Sequence, residues 1–174
     1  EHDTAAQAIL MTDDANFGDR VATALDDALK TLPRAAIAAK SWDDFGAIIV
    51  VENFAEAVPL IDRVAPEHLE LAVAEPDALA AKVRNAGAIF LGRYAPEALG
   101  DYLAGPNHVL PTDGSARFSS GLGVIDFMKR SSLIGADAAS LANVGAAAIL
   151  LAEAEGLDAH ARSISLRLNR RTEE

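Results

Sequence analysis

The sequence predicts an α/β layer architecture, a mostly parallel sheet, followed by a helical C-terminal tail. Three observations carry this. Short, continuous apolar runs at residues 8–11 (AILM), 46–51 (GAIIVV) and 88–91 (AIFL) have the length and composition of strands covered on both faces. Between them lie amphipathic segments with helical spacing, joined by short loops. After about residue 124 only helical spacing remains, so the chain reads as an α/β body over 1–123 and a helical tail over 124–174.

The first apolar run is ended by Thr12, Asp13 and Asp14. A helix then spans residues 16–32, with Phe17, Val21, Leu25, Ala28, Leu29 and Leu32 on one face and Pro33 as its stop. After the second strand, Asn53 can cap a helix carrying Phe54, Ala57, Val58, Ile61 and Val64 on one stripe. Pro59 costs that helix one hydrogen bond, and Pro66 ends it. Residues 68–73 alternate, with Leu69, Leu71 and Val73 on one side. Pro76 opens a helix that carries Leu79 and Val83 and stops before Gly87. A short helix runs from Pro96 to Leu103. From residue 107 to 123 periodicity vanishes into Gly, Pro, Ser and Thr, a loop long enough to suggest function. Two tail helices follow, one marked by Leu141, Val144, Ala148 and Leu151, the other by Leu157, Ala161, Ile164 and Leu168.

Composition narrows the function. Half the residues are hydrophobic (51%) but only 5% are aromatic, so the core is built from Ala, Leu, Val and Ile. Acids outnumber bases 26 to 15, a formal charge of −11 that disfavours nucleic-acid and membrane-surface partners. Without cysteine there is no disulfide, thiolate metal site or Cys nucleophile, and a cytoplasmic location is the default expectation. The longest apolar run, residues 145–152, is far short of the roughly 20 residues a bilayer span needs. The opening Glu1-His2-Asp3 has no signal-peptide pattern and no Met, and reads as a processed start or as part of a longer protein.

Each of the four histidines has an acid nearby: His2 beside Glu1 and Asp3, His68 beside Glu67, His108 near Asp101 and His160 near Glu155. Imidazole with carboxylate serves zinc ligation and general acid–base catalysis alike, but in an acidic chain such neighbours are commonplace. The Glu67-His68 pair follows a proline at a turn and reads either as a satisfied structural pair or as catalytic apparatus. Residues 104–112 (AGPNHVLPT) form a rigid loop presenting His108 or a purely structural turn. Gly121-Leu122-Gly123 is no dinucleotide fingerprint, because Asp126 stands where the third glycine belongs.

The segments 65–71 (APEHLEL), 100–102 (GDY), 105–112 (GPNHVLPT), 116–122 (ARFSSGL), 126–130 (DFMKR) and 155–163 (EGLDAHARS), with Glu1-His2-Asp3, closely resemble the C-terminal portion of the histidinol dehydrogenase family, end to end and in the family's order. The resemblance implies a Rossmann-like half-domain for the body. It implies zinc held by His2, Asp101 and His160, the family's fourth ligand, a Gln, falling two residues before Glu1. It implies Glu67 and His68 as the acid–base pair, and substrate contacts at His2, His68, Asp101, His108, Glu155 and His160. It further implies NAD as cofactor, bound outside this portion, and a homodimer in which the tail completes the neighbour's active site.

The family oxidises L-histidinol through the aldehyde to L-histidine with two NAD molecules. On this resemblance His68 takes the alcohol proton, Glu67 activates water on the aldehyde, and zinc orients the substrate's imidazole and amine. Two alternatives stay open. One is a paralogous zinc- and NAD-dependent alcohol dehydrogenase acting on another substrate, such as a sulfonated diol. The other is an inert dimerisation fragment that lacks the NAD domain.

Overall fold

The computed structural model describes residues 1–168. The chain divides into two compact units, Glu1–Phe127 and a second beginning at Met128.

In the first unit, β1 (Ile9–Thr12) leads into α1 (Ala15–Leu29), whose N-terminus is capped by the Asp14 carboxylate accepting from the Phe17 amide at 3.1 Å. The helix ends three residues before the expected Leu32, because the Thr31 and Leu32 amides both turn back to the Ala28 carbonyl. A second helix, α2 (Ala35–Phe45), follows where sequence periodicity gave no signal. Its alanines favour helix by propensity but draw no apolar stripe. The Ser41 hydroxyl, buried on α2, donates to the Ala6 carbonyl at 2.7 Å and ties the helix to the segment entering β1.

The strand β2 (Ala47–Val50) pairs parallel with β1, Ile9 opposite Ala47. Next, α3 (Phe54–Val64) is capped by Asn53 and closed by Ala65 in the left-handed region at φ 51°. It continues through Pro59, which has no amide to donate to the Ala55 carbonyl; both residues are on the exposed side of the helix. Its inner face brings Ala57 and Ile61 against Val51, and Met11, Ile49 and Leu69 pack onto the same cluster.

Then come β3 (His68–Leu71), the short α4 (Pro76–Ala80) and β4 (Ala88–Leu91), with His68 opposite Ala88 in a second parallel pair. The α4–β4 connection is held to α3 by Asp62, whose carboxylate accepts from the amides of Arg84 (2.8 Å) and Asn85 (3.0 Å). All strand pairing is parallel, as expected, but among the described residues it forms two separate ribbons rather than one sheet. A cavity of about 800 Å³ lies between them, lined by Met11, Phe17 and Leu71 among others and reaching His68 and Glu97.

The last helix of the unit, α5 (Glu97–Tyr102), follows β4. The aperiodic segment beyond it contains a turn with positive φ at Asp113 and Gly114 and a short 3₁₀ turn, Ser115–Arg117. Arg117 donates to the Arg63 carbonyl at the end of α3, which docks this loop onto the body.

The second unit holds α6 (Ala138–Ala154), capped by Asp137, and α7 (Asp158–Leu168), joined through Gly156 at φ 74°. Leu168 packs where a Cβ on Gly145 would stand, 2.8 Å away, so glycine permits this close approach of the two helices. Both helices form where expected, but the covered side of α6 runs through Leu141, Gly145, Ala148 and Ile149, leaving Val144 and Leu151 exposed, and Leu157 precedes α7.

Candidate active site

The second ribbon carries the chemistry. His68 opens β3, and its ring lies 6.0 Å from that of Phe90 on β4. Glu97 and Asp101 sit one turn apart on α5, so both carboxylates leave the same side of the helix. His68 Nε2 is 3.6 Å from a Glu97 carboxylate oxygen and 3.9 Å from one of Asp101, too far for ordinary hydrogen bonds. The three side chains are 25%, 36% and 21% exposed, yet Nε2 itself is buried and has no hydrogen-bond partner.

A buried, unpaired imidazole nitrogen facing two carboxylates calls for a reason. One ligand atom from each residue can be chosen so that all lie within 4.8 Å of one another, the arrangement of donors converging on a shared cation. Burial pushes the Glu97 carboxyl above its ordinary value, and the neighbouring Asp101 carboxylate pushes it further. The imidazoles of His68 and, least, His2 oppose that rise. Nitrogen and oxygen donors of this kind suit a divalent transition metal such as zinc, and the residues present fit one.

Of the residues singled out from sequence, the structure thus brings His68 and Asp101 together, while His2 is exposed near the N-terminus. Glu67 adjoins His68 in the chain and is half-buried; its carbonyl accepts from the Ala88 amide at 2.9 Å, but its side chain makes no hydrogen bond or ion pair among the described residues. His108 is exposed on its loop, where the Asn107 side chain accepts from the Val109 amide at 2.8 Å and shapes the turn. Glu155 closes α6 and His160 lies in the first turn of α7, both exposed and both in the second unit. Sequence reasoning passed over Glu97. Its spacing of four from Asp101, just after a helix-starting proline, is the signal that could have found it.

This is a parallel α/β unit with a histidine–carboxylate cluster, a candidate metal centre, between the start of β3 and α5. The comparisons with known proteins give its family. The chain matches the family described as histidinol dehydrogenase over residues 1–168. It is 64% identical over 171 residues to the histidinol dehydrogenase of Rhodospirillum rubrum, covering 98% of this chain and 39% of that protein. With the Rhizobium meliloti histidinol dehydrogenase it shares 62% identity, covering 97% of this chain and again 39% of the relative. The crystal structure of the Elizabethkingia anophelis histidinol dehydrogenase is similar with a TM-score of 0.79 at 34% identity, covering 96% of this chain and 38% of that one. The chain therefore belongs to the histidinol dehydrogenase family, and it spans about two fifths of the length of these relatives.

Proposed function

We propose that this chain is the C-terminal portion of a zinc-dependent histidinol dehydrogenase that oxidises L-histidinol through the aldehyde to L-histidine with two NAD. The observation that carries this reading is identity above 60% with curated histidinol dehydrogenases over nearly the whole chain. The paired His68 and Asp101 support it chemically.

In this reading the metal is held by His2, Asp101 and His160, so of the clustered side chains only Asp101 is a ligand and His68 stays free to act as a base. Zinc, when bound, supplies a Lewis-acid anchor that orients the substrate's imidazole and amine. His68, with its Nε2 free of any protein hydrogen bond, takes the proton of the substrate hydroxyl as a neutral imidazole. Glu67 takes a proton from the water that adds to the aldehyde, which gives the hydrate for the second oxidation. His108 and Glu155 bind the substrate. The sequence has no glycine-rich phosphate loop opening a helix. Dinucleotide binding is assigned to the remainder of the relatives' length, and this chain is left with proton handling and substrate orientation.

The test is NAD reduction by the full-length protein on L-histidinol and on sulfonated diols. Turnover confined to histidinol supports the reading, and turnover only on a diol overturns the substrate. NAD reduction by the bare 174 residues would overturn the assignment of NAD binding elsewhere.

The proposal includes a homodimer with shared sites. What supports it is the tail's uncovered apolar surface: Leu133 and Ile134 are almost fully exposed, and Leu150 and Leu151 about two-thirds so. Reassembling inactive full-length His68→Ala and His160→Ala proteins would place both lesions in one site of each heterodimer and none in the other. Random pairing then restores about a quarter of all sites. No recovery, with heterodimers confirmed by mass, would refute the exchange.

A further inference from the structure

The helix that presents Glu97 and Asp101 is six residues long, and its N-cap, Pro96, offers no side-chain acceptor. So short a helix does not hold its own position. Its first amide is satisfied from a distance: the Glu97 N–H donates to a Glu70 carboxylate oxygen at 2.6 Å, across 27 residues of chain. Glu70 lies two residues beyond His68 on β3, and strand alternation therefore puts both side chains on one face. The same strand supplies the imidazole and the strut for the helix that bears the facing carboxylates.

A second contact seats the helix. A Cβ on Gly100 would stand 2.7 Å from the Phe90 ring, so α5 rests directly on that ring. Phe90 is the register partner of Glu70, and its ring neighbours that of His68. The helix is thus located at its first turn by Glu70 and further along by Phe90, and both contacts refer it to the ribbon that carries His68.

Glu70 is present as a hydrogen-bond acceptor at the N-terminus of α5, where the amide dipoles favour a carboxylate. We propose that Glu70 is a positioning residue: it fixes α5 so that Glu97 and Asp101 face His68, and through them it sets the geometry of the donor cluster. The part of this concerning metal rests on the zinc reading above.

The acceptor oxygen, not the charge, is what the role requires, so glutamine should replace Glu70 and alanine should not. In the full-length protein, Glu70→Ala is expected to speed hydrogen–deuterium exchange of the peptide containing α5 about tenfold. It should also weaken zinc binding, measured by chelator competition, by about 10- to 100-fold, the usual scale for groups that orient metal ligands. Glu70→Gln should stay within about threefold of the parent in both, and a merely structural loss of stability would not sort the two variants this way. Unchanged α5 exchange in Glu70→Ala, faster exchange with unaltered zinc affinity, or equal damage from glutamine would each overturn the proposal. Should Glu70→Ala not fold, Glu70→Thr, too short to reach Glu97, takes its place. If the parent itself binds no zinc, the zinc reading fails, and the exchange comparison alone decides whether Glu70 positions α5.

Discussion

The two ribbons of the first unit share a backbone plan and differ in what they carry. Each is a parallel pair of four-residue strands in unbroken register. The first is apolar along almost its whole length: Ile9, Leu10 and Met11 opposite Ala47, Ile48 and Ile49. Two helices, α1 and α2, cross over between its strands, and Gly18 lets α1 approach Ile48 closely, a Cβ there standing 3.1 Å from that side chain. The second ribbon has one five-residue helix in its crossover and places His68 and Glu70 on its strand. One pair of strands buries surface, while the other spends part of that capacity on polar groups that only a following helix can satisfy. Chemistry enters where α5 leaves β4, because its carboxylates are the groups that face the histidine.

The largest expected contrast is in turnover. His68→Asn in the full-length protein should lower turnover by about 100- to 10,000-fold while substrate binding persists. Ile48→Val in the first ribbon should leave turnover intact and cost about 1 kcal/mol of stability. Steady-state kinetics beside denaturant titration checks both, and near-normal turnover of His68→Asn at neutral pH would remove His68 as the base.

Two glycines sharpen the comparison. A Cβ on Gly46 would enter the Trp42 indole and stand 2.6 Å from the Trp42 carbonyl. A Cβ on Gly87 would stand 2.6 Å from the Glu67 carbonyl and 3.1 Å from Pro111. Each alanine substitution should cost about 1–3 kcal/mol by overpacking. Gly87→Ala should lower turnover as well, since it displaces β4 from the strand entry that bears Glu67 and His68. Equal turnover in the two variants, corrected for folded fraction, would show that the second ribbon tolerates displacement.

Zinc gives a smaller effect in the isolated chain. His68, Glu97 and Asp101 are all partly exposed, and the two carboxylates repel each other. Calorimetry on the 174 residues should show weak binding and no tight stoichiometric site, with even that lost in Asp101→Ala. A tight site abolished by Asp101→Ala would show that the first unit's donors suffice on their own.

The smallest effect belongs to the tail, which has no ribbon. Asp137 accepts from the Ser140 amide at 2.7 Å, and hydrogen bonding from the Ser140 side chain, then from that amide, holds its carboxyl below the usual carboxylate value. A depressed carboxylate stabilises the fold above its unfolded pKa, and the contribution is lost as pH falls through the folded one. Thermal stability of α6 should therefore decline slightly more below about pH 4 in the parent than in Asp137→Ala, as followed by helical circular dichroism. Parallel pH profiles would show that this cap adds nothing.

Most elements were legible from local pattern. The stripe Phe17, Val21, Leu25 and Ala28 announced α1, continuous apolar runs announced β1, β2 and β4, and Pro76 and Pro96 marked helix starts. Periodicity records which residues seek burial, and these elements are defined by that demand. It was silent on α2, whose alanines satisfy a helix without drawing a face. Family motifs drew attention to His68 and Asp101, but no local signal joined them. Their approach depends on β3 pairing with β4 and on α5 folding back across the ribbon. The partners of His68 and Glu70 lie some thirty residues along the chain, and a pattern of burial does not say which face meets which. The helices and strands were set by local chemistry; the division into two ribbons, the Glu97 carboxylate beside His68 and the Glu70 strut were decided only when distant segments packed.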